Sequence, residues 1–206
     1  MRLAAVVPVR SIAGGKARLA GVIDDRTRKR LNAALLAHTL RLAADVPDCA
    51  ATYVVSSDPE AGARAAAAGA VVVPDPGQGL NPAIAAACAA ARRDGADRIV
   101  VLPIDLPCAR PADIAALAAC PAAVAIAPDR HGQGTNALCL AAALPFETRF
   151  GADSLRAHIA AARRLGASLA IRPNPRLGLD IDTEADWTDW GRTVDRAAWI
   201  DRLAGD

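Results

Sequence analysis

The chain has 206 residues, enough for one sizeable domain or one domain with a small extension. Hydrophobic residues make up 53% of it, which provides for a packed core and excludes an intrinsically disordered chain. Acidic and basic residues nearly cancel at a net charge of +2, so charge gives no argument for a nucleic-acid or membrane-surface partner.

The first element, Leu3 to Val9, reads as a buried strand. Pro8 and Arg10 interrupt it too early for a secretory leader, and no apolar run reaches the ~18 residues of a membrane span, so a cytoplasmic protein is expected. The stretch after it, RSIAGGKARLAG, combines glycines with spaced cations. Gly14 and Gly15 would let backbone N–H groups approach an anion, and Lys16 and Arg18 would offset its charge. The spacing is neither a Walker loop nor GxGxxG, and a tight glycine turn with a solvated lysine accounts for it as well. Lys16 and Lys29 are the only lysines in the chain, a skew that codon bias largely explains.

Asp24 or Asp25 can cap a helix running to about Val46, with Leu31, Leu35, Thr39, Leu42 and Val46 at helical spacing. A strand at Thr52 to Ser56 follows, then a helix from the Asp58-Pro59 cap to Gly69, and a short strand at Val71 to Val73. After the turn-rich Asp75 to Leu80, Asn81-Pro82 repeats the cap-proline start of a helix that runs to Arg93. Ile99 to Ile104 is a strand hydrophobic on both faces. A helix from Pro111, strands at Val124–Ala127 and Ala137–Leu140, a helix from about Asp153 to Leu165 and a strand at Ser168–Ile171 complete the alternation. Thr183 opens a final helical region containing Trp187, Trp190 and Trp199. Buried strands alternating with helices predict an α/β fold: a single Rossmann-like domain over residues 1–206, its mostly parallel central sheet covered by helices on both faces. The cysteines, Cys49, Cys88, Cys108, Cys120 and Cys139, form no CxxC pair and are odd in number. They read as small buried hydrophobes in a reducing compartment, not as a zinc site or a disulfide framework.

In such sheets ligands sit beyond the carboxyl ends of the strands. Four segments besides the glycine loop carry candidate chemistry. In VVLPIDLPCARP, Asp105 directly follows a buried strand between two prolines and is placed to hold a metal or to cap a turn. In GLDIDTEADW, Asp180 and Asp182 alternate, so one strand face would present both, and either could complete a Mg²⁺ site with Asp105. Thr183 and Asp186 there resemble a capping box. PDRHGQGTNALCL offers the amides of Gly132 and Gly134 with the side chains of Thr135 and Asn136. RFGADSL opens a helix at Gly151 and Ser154, and helix N-termini attract anions. The segments other than that of Asp105 are equally read as ordinary turn and cap chemistry, yet two separate anion seats suggest two phosphorylated ligands. His38 and His158 fall in helices and read as structural or surface residues, while His131 lies in the glycine-rich loop.

The ordered set of motifs resembles the guanylyltransferases of deazaflavin coenzyme F-420 biosynthesis, within the wider nucleotidyltransferases that include the molybdenum-cofactor guanylyltransferases. The matching stretches are VPVR (Val7 to Arg10), GGKARL (Gly14 to Leu19), GLNPAI (Gly79 to Ile84), LPIDLP (Leu102 to Pro107), GTNAL (Gly134 to Leu138), RFGADS (Arg149 to Ser154) and LDIDTEAD (Leu179 to Asp186), essentially the whole chain. Arg10 stands where the family often has lysine, and Ala152-Asp153 replaces its usual Pro-Gly. The resemblance implies transfer of GMP from GTP to the phosphate of phosphoenolpyruvate, 2-phospho-L-lactate or 3-phosphoglycerate. It implies a nucleotide site of Pro8, Gly14, Gly15, Lys16, Gly79, Leu80, Asn81 and Pro82, with Lys16, Arg18 and Asp105 as the catalytic set. Mg²⁺ would lie on Asp105 with Asp180 or Asp182, and the acceptor on Thr135, Asn136, Gly151 and Ser154. Nucleic acid and membrane are not expected as partners, and a homodimer stays open. A related nucleotidyltransferase with another substrate, or a non-catalytic nucleotide-binding regulator, is the alternative.

Overall fold

The computed structural model describes residues 1–204. Seven strands form one sheet: β1 (Leu3–Pro8), β2 (Cys49–Ser56), β3 (Val71–Pro74), β4 (Arg98–Val101), β5 (Val124–Pro128), β6 (Thr135–Ala141) and β7 (Leu169–Ile171). Their order is β3-β2-β1-β4-β6-β5-β7, and β6 runs antiparallel to both of its neighbours while the other pairs are parallel. All seven strands predicted from sequence are present.

The sheet's central strand explains the layering. In β1, Leu3, Ala5 and Val7 pack into one apolar cluster, and Ala4 and Val6 into the other. Both faces of β1 are therefore dry, as expected of a parallel strand covered on two sides. The first face receives α1 (Asp25–Ala44), α2 (Pro59–Ala67), α4 (Pro111–Ala118), α6 (Glu184–Gly191) and α7 (Arg196–Ala204). The second receives α3 (Leu80–Arg93) and α5 (Ser154–Arg164). Helix starts follow the sequence: Asp24 caps α1 by accepting from Thr27 N–H, and Asp58 caps α2 ahead of Pro59. Thr183 and Asp186 form the expected capping box of α6.

Three local expectations are corrected and a fourth is refined. β4 stops at Val101, not Ile104, because Pro103 has no N–H to extend the ladder. Helix α3 starts at Leu80 with Gly79 (φ 98°) in the cap position, so Asn81 lies inside the helix and is not its cap. Residues 179–182 form no strand. The final helical region is two helices, the second packed along α1. There Trp190 is fully buried and meets Trp187 and Trp199 edge-on at centroid distances of 5.7 and 5.1 Å. All five cysteines are free thiols, and no helix among the described residues is long and apolar enough to cross a membrane.

Candidate active site

The chain leaves β1 into the segment from Val9 to Leu19, whose course is set by two side chains that the motif reading passed over. Asp58, at the start of α2, accepts from Ile12 N–H at 2.7 Å, and the buried Asn32 of α1 donates to Ile12 O at 2.9 Å. A Cβ on Gly15 would lie 2.6 Å from Asn32 Nδ2, so glycine at 15 is demanded by this anchor. Gly14 has no such neighbour; its N–H donates to Ser11 Oγ at 3.0 Å. Lys16 then adopts a left-handed backbone (φ 56°), and a 3-10 turn over Ala17–Leu19 carries Arg18 outward.

Lys16 reaches across the carboxyl end of the sheet. Its Nζ donates to Asp105 Oδ2 at 2.9 Å and lies 4.0 Å from Asp182 Oδ1. Asp182 Oδ2 also accepts from the exposed Arg18. Asp105 and the distant acids are brought together by a backbone bond, Ile181 N–H to Asp105 O at 3.0 Å. Ile181 is buried in the core, which leaves Asp180 and Asp182 flanking it on either side. This is the juxtaposition expected of a strand, obtained in a loop. Asp180 Oδ1 accepts from Asn136 Nδ2 at 3.1 Å, and the same amide donates to Leu177 O. Burial first, and the nearby Asp105 carboxylate second, push the Asp180 carboxyl above the usual carboxylate range.

The loop carrying these acids is tied down on both sides. Asp113 of α4 is buried and receives Arg176 Nε at 2.7 Å, Arg176 Nη2 and Asn174 Nδ2. Arg130 bridges Asp186 and Asp189 at the other end. Asp113 lies outside the candidate motifs, and Arg130 lies inside PDRHGQGTNALCL, where the motif gives it no role; their partners in space give both residues theirs.

Oxygen donors alone make a hard site suited to Mg²⁺. Among the described residues no three His, Cys, Asp or Glu side chains gather as a ready-made cage. Mg²⁺ in nucleotide enzymes is held by one or two carboxylates, with phosphates and water filling the octahedron. Asp105 beside an Asp180 whose charge is disfavoured by burial and by Asp105 itself fits that requirement.

A second group of residues adjoins the first through β6. Ala127 pairs with Ala137 but Pro128 with Thr135, so Asn136 is the extra residue of a bulge. The bulge lets two consecutive side chains serve two groups: Asn136 turns to Leu177 and Asp180, while Thr135 turns to α5. Thr135 N–H donates to Ser154 Oγ at 2.9 Å, and Thr135 Oγ1 lies 2.9 Å from His158 Nδ1. His158 Nε2 accepts from Arg149 N–H at 2.8 Å. His158 is fully buried, as a structural histidine would be, and burial lowers its pKa to about 4. Thr135 and Ser154 are thus brought together as expected; Asn136 is not with them. Gly151 (φ 133°) turns the chain into α5, and Asp153 occupies the cap position without a side-chain cap bond.

The residues from Gly79 to Pro82 open α3, which packs on β1 and β2 and so starts at the same end of the sheet. Leu80 is exposed. Asn81 is fully engaged with the loop that precedes α5: Nδ2 donates to Phe150 O at 2.9 Å and Oδ1 accepts from Phe150 N–H at 2.8 Å. Among the described residues no hydrogen bond joins Gly79 to Pro82 with the Lys16 loop. Pro8 pairs with Val55 at the end of β1 and is half-buried.

Comparison with known proteins adds three findings. Residues 3–190 match a family model described as guanylyl transferase CofC like. A phosphoenolpyruvate guanylyltransferase of Sphaerobacter thermophilus is 39% identical, the match covering 90% of this chain and 91% of that protein. One of Chloroflexus aggregans is 36% identical over 85% and 90% of the two chains. Among solved structures, a chain from Desulfovibrio desulfuricans G20 assigned as a nucleotide-diphospho-sugar transferase superposes with a TM-score of 0.76 over the whole of both chains at 17% identity. A nucleotidyl transferase from Methanothermobacter gives 0.66 at 18% identity over 97% and 98% of the two chains. Glucosyl-3-phosphoglycerate synthase of Mycobacterium tuberculosis, in complex with Mg²⁺ and uridine diphosphate, gives 0.59 at 15% identity over 84% and 69%. These last likenesses establish the nucleotidyltransferase-type fold.

Proposed function

The chain belongs to the family of CofC-like guanylyl transferases, and from that premise we propose that it transfers GMP from GTP to the phosphate of a phosphorylated three-carbon acid. It is an enzyme of the nucleotidyltransferase class, and its family places it in coenzyme F-420 biosynthesis. The acceptor we favour is phosphoenolpyruvate, the substrate in the names of the two relatives above.

The observation that carries the reading is the meeting of Lys16, Arg18, Asp105 and Asp182 at the carboxyl end of β1 and β4. The acceptor phosphate is already a deprotonated nucleophile at neutral pH, so no general base is needed when it attacks the α-phosphorus and pyrophosphate departs. What the site must supply is alignment of two anions and relief of their repulsion. Lys16 and Arg18, now paired with carboxylates, are placed to pair with the triphosphate instead. Asp105 and Asp180 would hold Mg²⁺, with Asp182 adjoining and Asn136 orienting Asp180. Bound there, Mg²⁺ acts as a Lewis acid that offsets charge on the reacting phosphates. The uncapped start of α3 at Gly79 to Pro82 receives the nucleotide, and Thr135, Gly151 and Ser154 receive the acceptor.

The test is pyrophosphate release across GTP, ATP, CTP and UTP, with phosphoenolpyruvate, 2-phospho-L-lactate and 3-phosphoglycerate in turn. We expect turnover with GTP and phosphoenolpyruvate that needs a divalent metal. Equal turnover with ATP removes the guanine assignment, and preference for another acceptor replaces phosphoenolpyruvate. No release under any combination would make the chain a binding protein.

A further inference from the structure

We propose that His158 is a positioning residue that compels the Thr135 hydroxyl to donate its proton outward to the acceptor; the inference rests on reading Thr135 as part of the acceptor site. Bond polarity carries the argument. Arg149 N–H can only donate, and it points to His158 Nε2 at 2.8 Å, so Nε2 carries no proton. A buried neutral ring with a bare Nε2 must carry its proton on Nδ1. Nδ1–H then donates to Thr135 Oγ1 at 2.9 Å. Having accepted from the ring, the hydroxyl must send its own proton elsewhere, and among the described residues it has no other side-chain or backbone partner.

Ser154 is polarised in the same sense. Its Oγ accepts from Thr135 N–H at 2.9 Å, leaving its own proton free among the described residues. Two adjoining hydroxyls therefore have inward lone pairs occupied by fixed donors and protons left to give. That polarity suits a carboxylate or phosphate. With the opposite tautomer, Thr135 would donate to the ring and offer lone pairs to an anion, which repel it. The ring is held in place by Phe150, edge-on at 4.9 Å, and by Phe146 at 5.9 Å. His158 touches no solvent, so it reaches the site only through its neighbours: Thr135 at Nδ1 and Arg149 N–H at Nε2.

The test is a double-mutant cycle read in the KM for phosphoenolpyruvate at saturating GTP. Thr135→Val removes the hydroxyl. His158→Gln can still accept from Arg149 N–H but has nothing at the Nδ1 position. Each should raise the acceptor KM roughly tenfold or more, leave the KM for GTP unchanged, and add nothing to the other in the double variant. His158→Asn, whose amide sits near the Nδ1 position, should recover part of the loss. An unchanged acceptor KM in His158→Gln, or effects that add, overturns the inference while leaving Thr135 in the site. An unchanged acceptor KM in Thr135→Val removes Thr135 from the acceptor site, and the inference falls with that reading. Should the variants fail to fold, the wild-type protein decides: its three histidines can be resolved by long-range ¹⁵N–¹H spectroscopy. We expect the Nδ1–H tautomer for His158, and an Nε2–H tautomer overturns the inference.

Discussion

Lys16 Nζ lies 2.9 Å from Asp105 Oδ2, and Lys16 reaches that position from a left-handed backbone. A left-handed residue with a Cβ costs roughly 1–2 kcal/mol relative to the right-handed form, yet the chain places lysine there directly after two glycines. The proposed triphosphate contact of Lys16 gives this strain a purpose. Substitution of Lys16 separates the backbone cost from the charge. Lys16→Gly should be about 1 kcal/mol more stable than Lys16→Ala, since only glycine is free at φ 56°, and both should lose turnover. Equal urea midpoints for the two variants would contradict the strain.

Asp105→Asn keeps the shape and removes the charge in the loop that follows β4. Folding should be retained, because an amide oxygen can still accept from Lys16. Turnover should fall on the order of 10²-fold or more if a metal ligand is lost. Pyrophosphate release with the melting temperature measured alongside checks it; near wild-type turnover removes Asp105 from the metal site.

Gly15→Ala tests whether that glycine serves packing. Its new Cβ would sit 2.6 Å from Asn32 Nδ2 and displace the bond to Ile12 O. Overpacking of this kind costs about 1–3 kcal/mol. In an Asn32→Ala background the same change should cost clearly less. Full additivity in denaturant unfolding would show that the two residues do not oppose each other.

Asn81→Asp retains the acceptor for Phe150 N–H but replaces the donor to Phe150 O with a carboxylate oxygen. Leaving that pair mismatched should cost about 1–3 kcal/mol locally. Faster amide exchange at Phe150 and a raised KM for phosphoenolpyruvate are expected. Wild-type exchange at Phe150 would mean that Asn81 does not hold the loop.

His158 predicts a pH dependence of stability. Burial lowers its pKa to about 4 from 6.5, so between those values the unfolded chain binds a proton that the folded one refuses. Its contribution is fully present above about pH 6.5 and is lost as pH falls toward 4, up to a total on the order of 3 kcal/mol. Urea unfolding at pH 7.5 and 4.5 should show a smaller drop for His158→Asn than for wild type. Identical drops would assign the acid sensitivity to other groups.

Sequence alone determined the strands and most helix starts, because hydrophobic runs and Asp-Pro caps act within a few residues of themselves. It also placed Lys16 and Asp105 beyond the carboxyl ends of strands, since strand ends are local, and marked Asp180, Asp182, Thr135 and Ser154 as candidates without fixing their end of the sheet; Thr135 precedes its strand and reaches that end because β6 runs antiparallel. Only the tertiary structure decided how these residues meet. The Ile181–Asp105 backbone bond, not a strand, presents Asp180 and Asp182. The β6 bulge sends Asn136 to Asp180 and Thr135 to His158. Asn32, Asp58 and Asp113 gained their roles from partners that are 20, 46 and 63 residues away in sequence. A hydrogen bond's worth depends on direction and distance in space, and neither quantity is written in the spacing of residues along a chain.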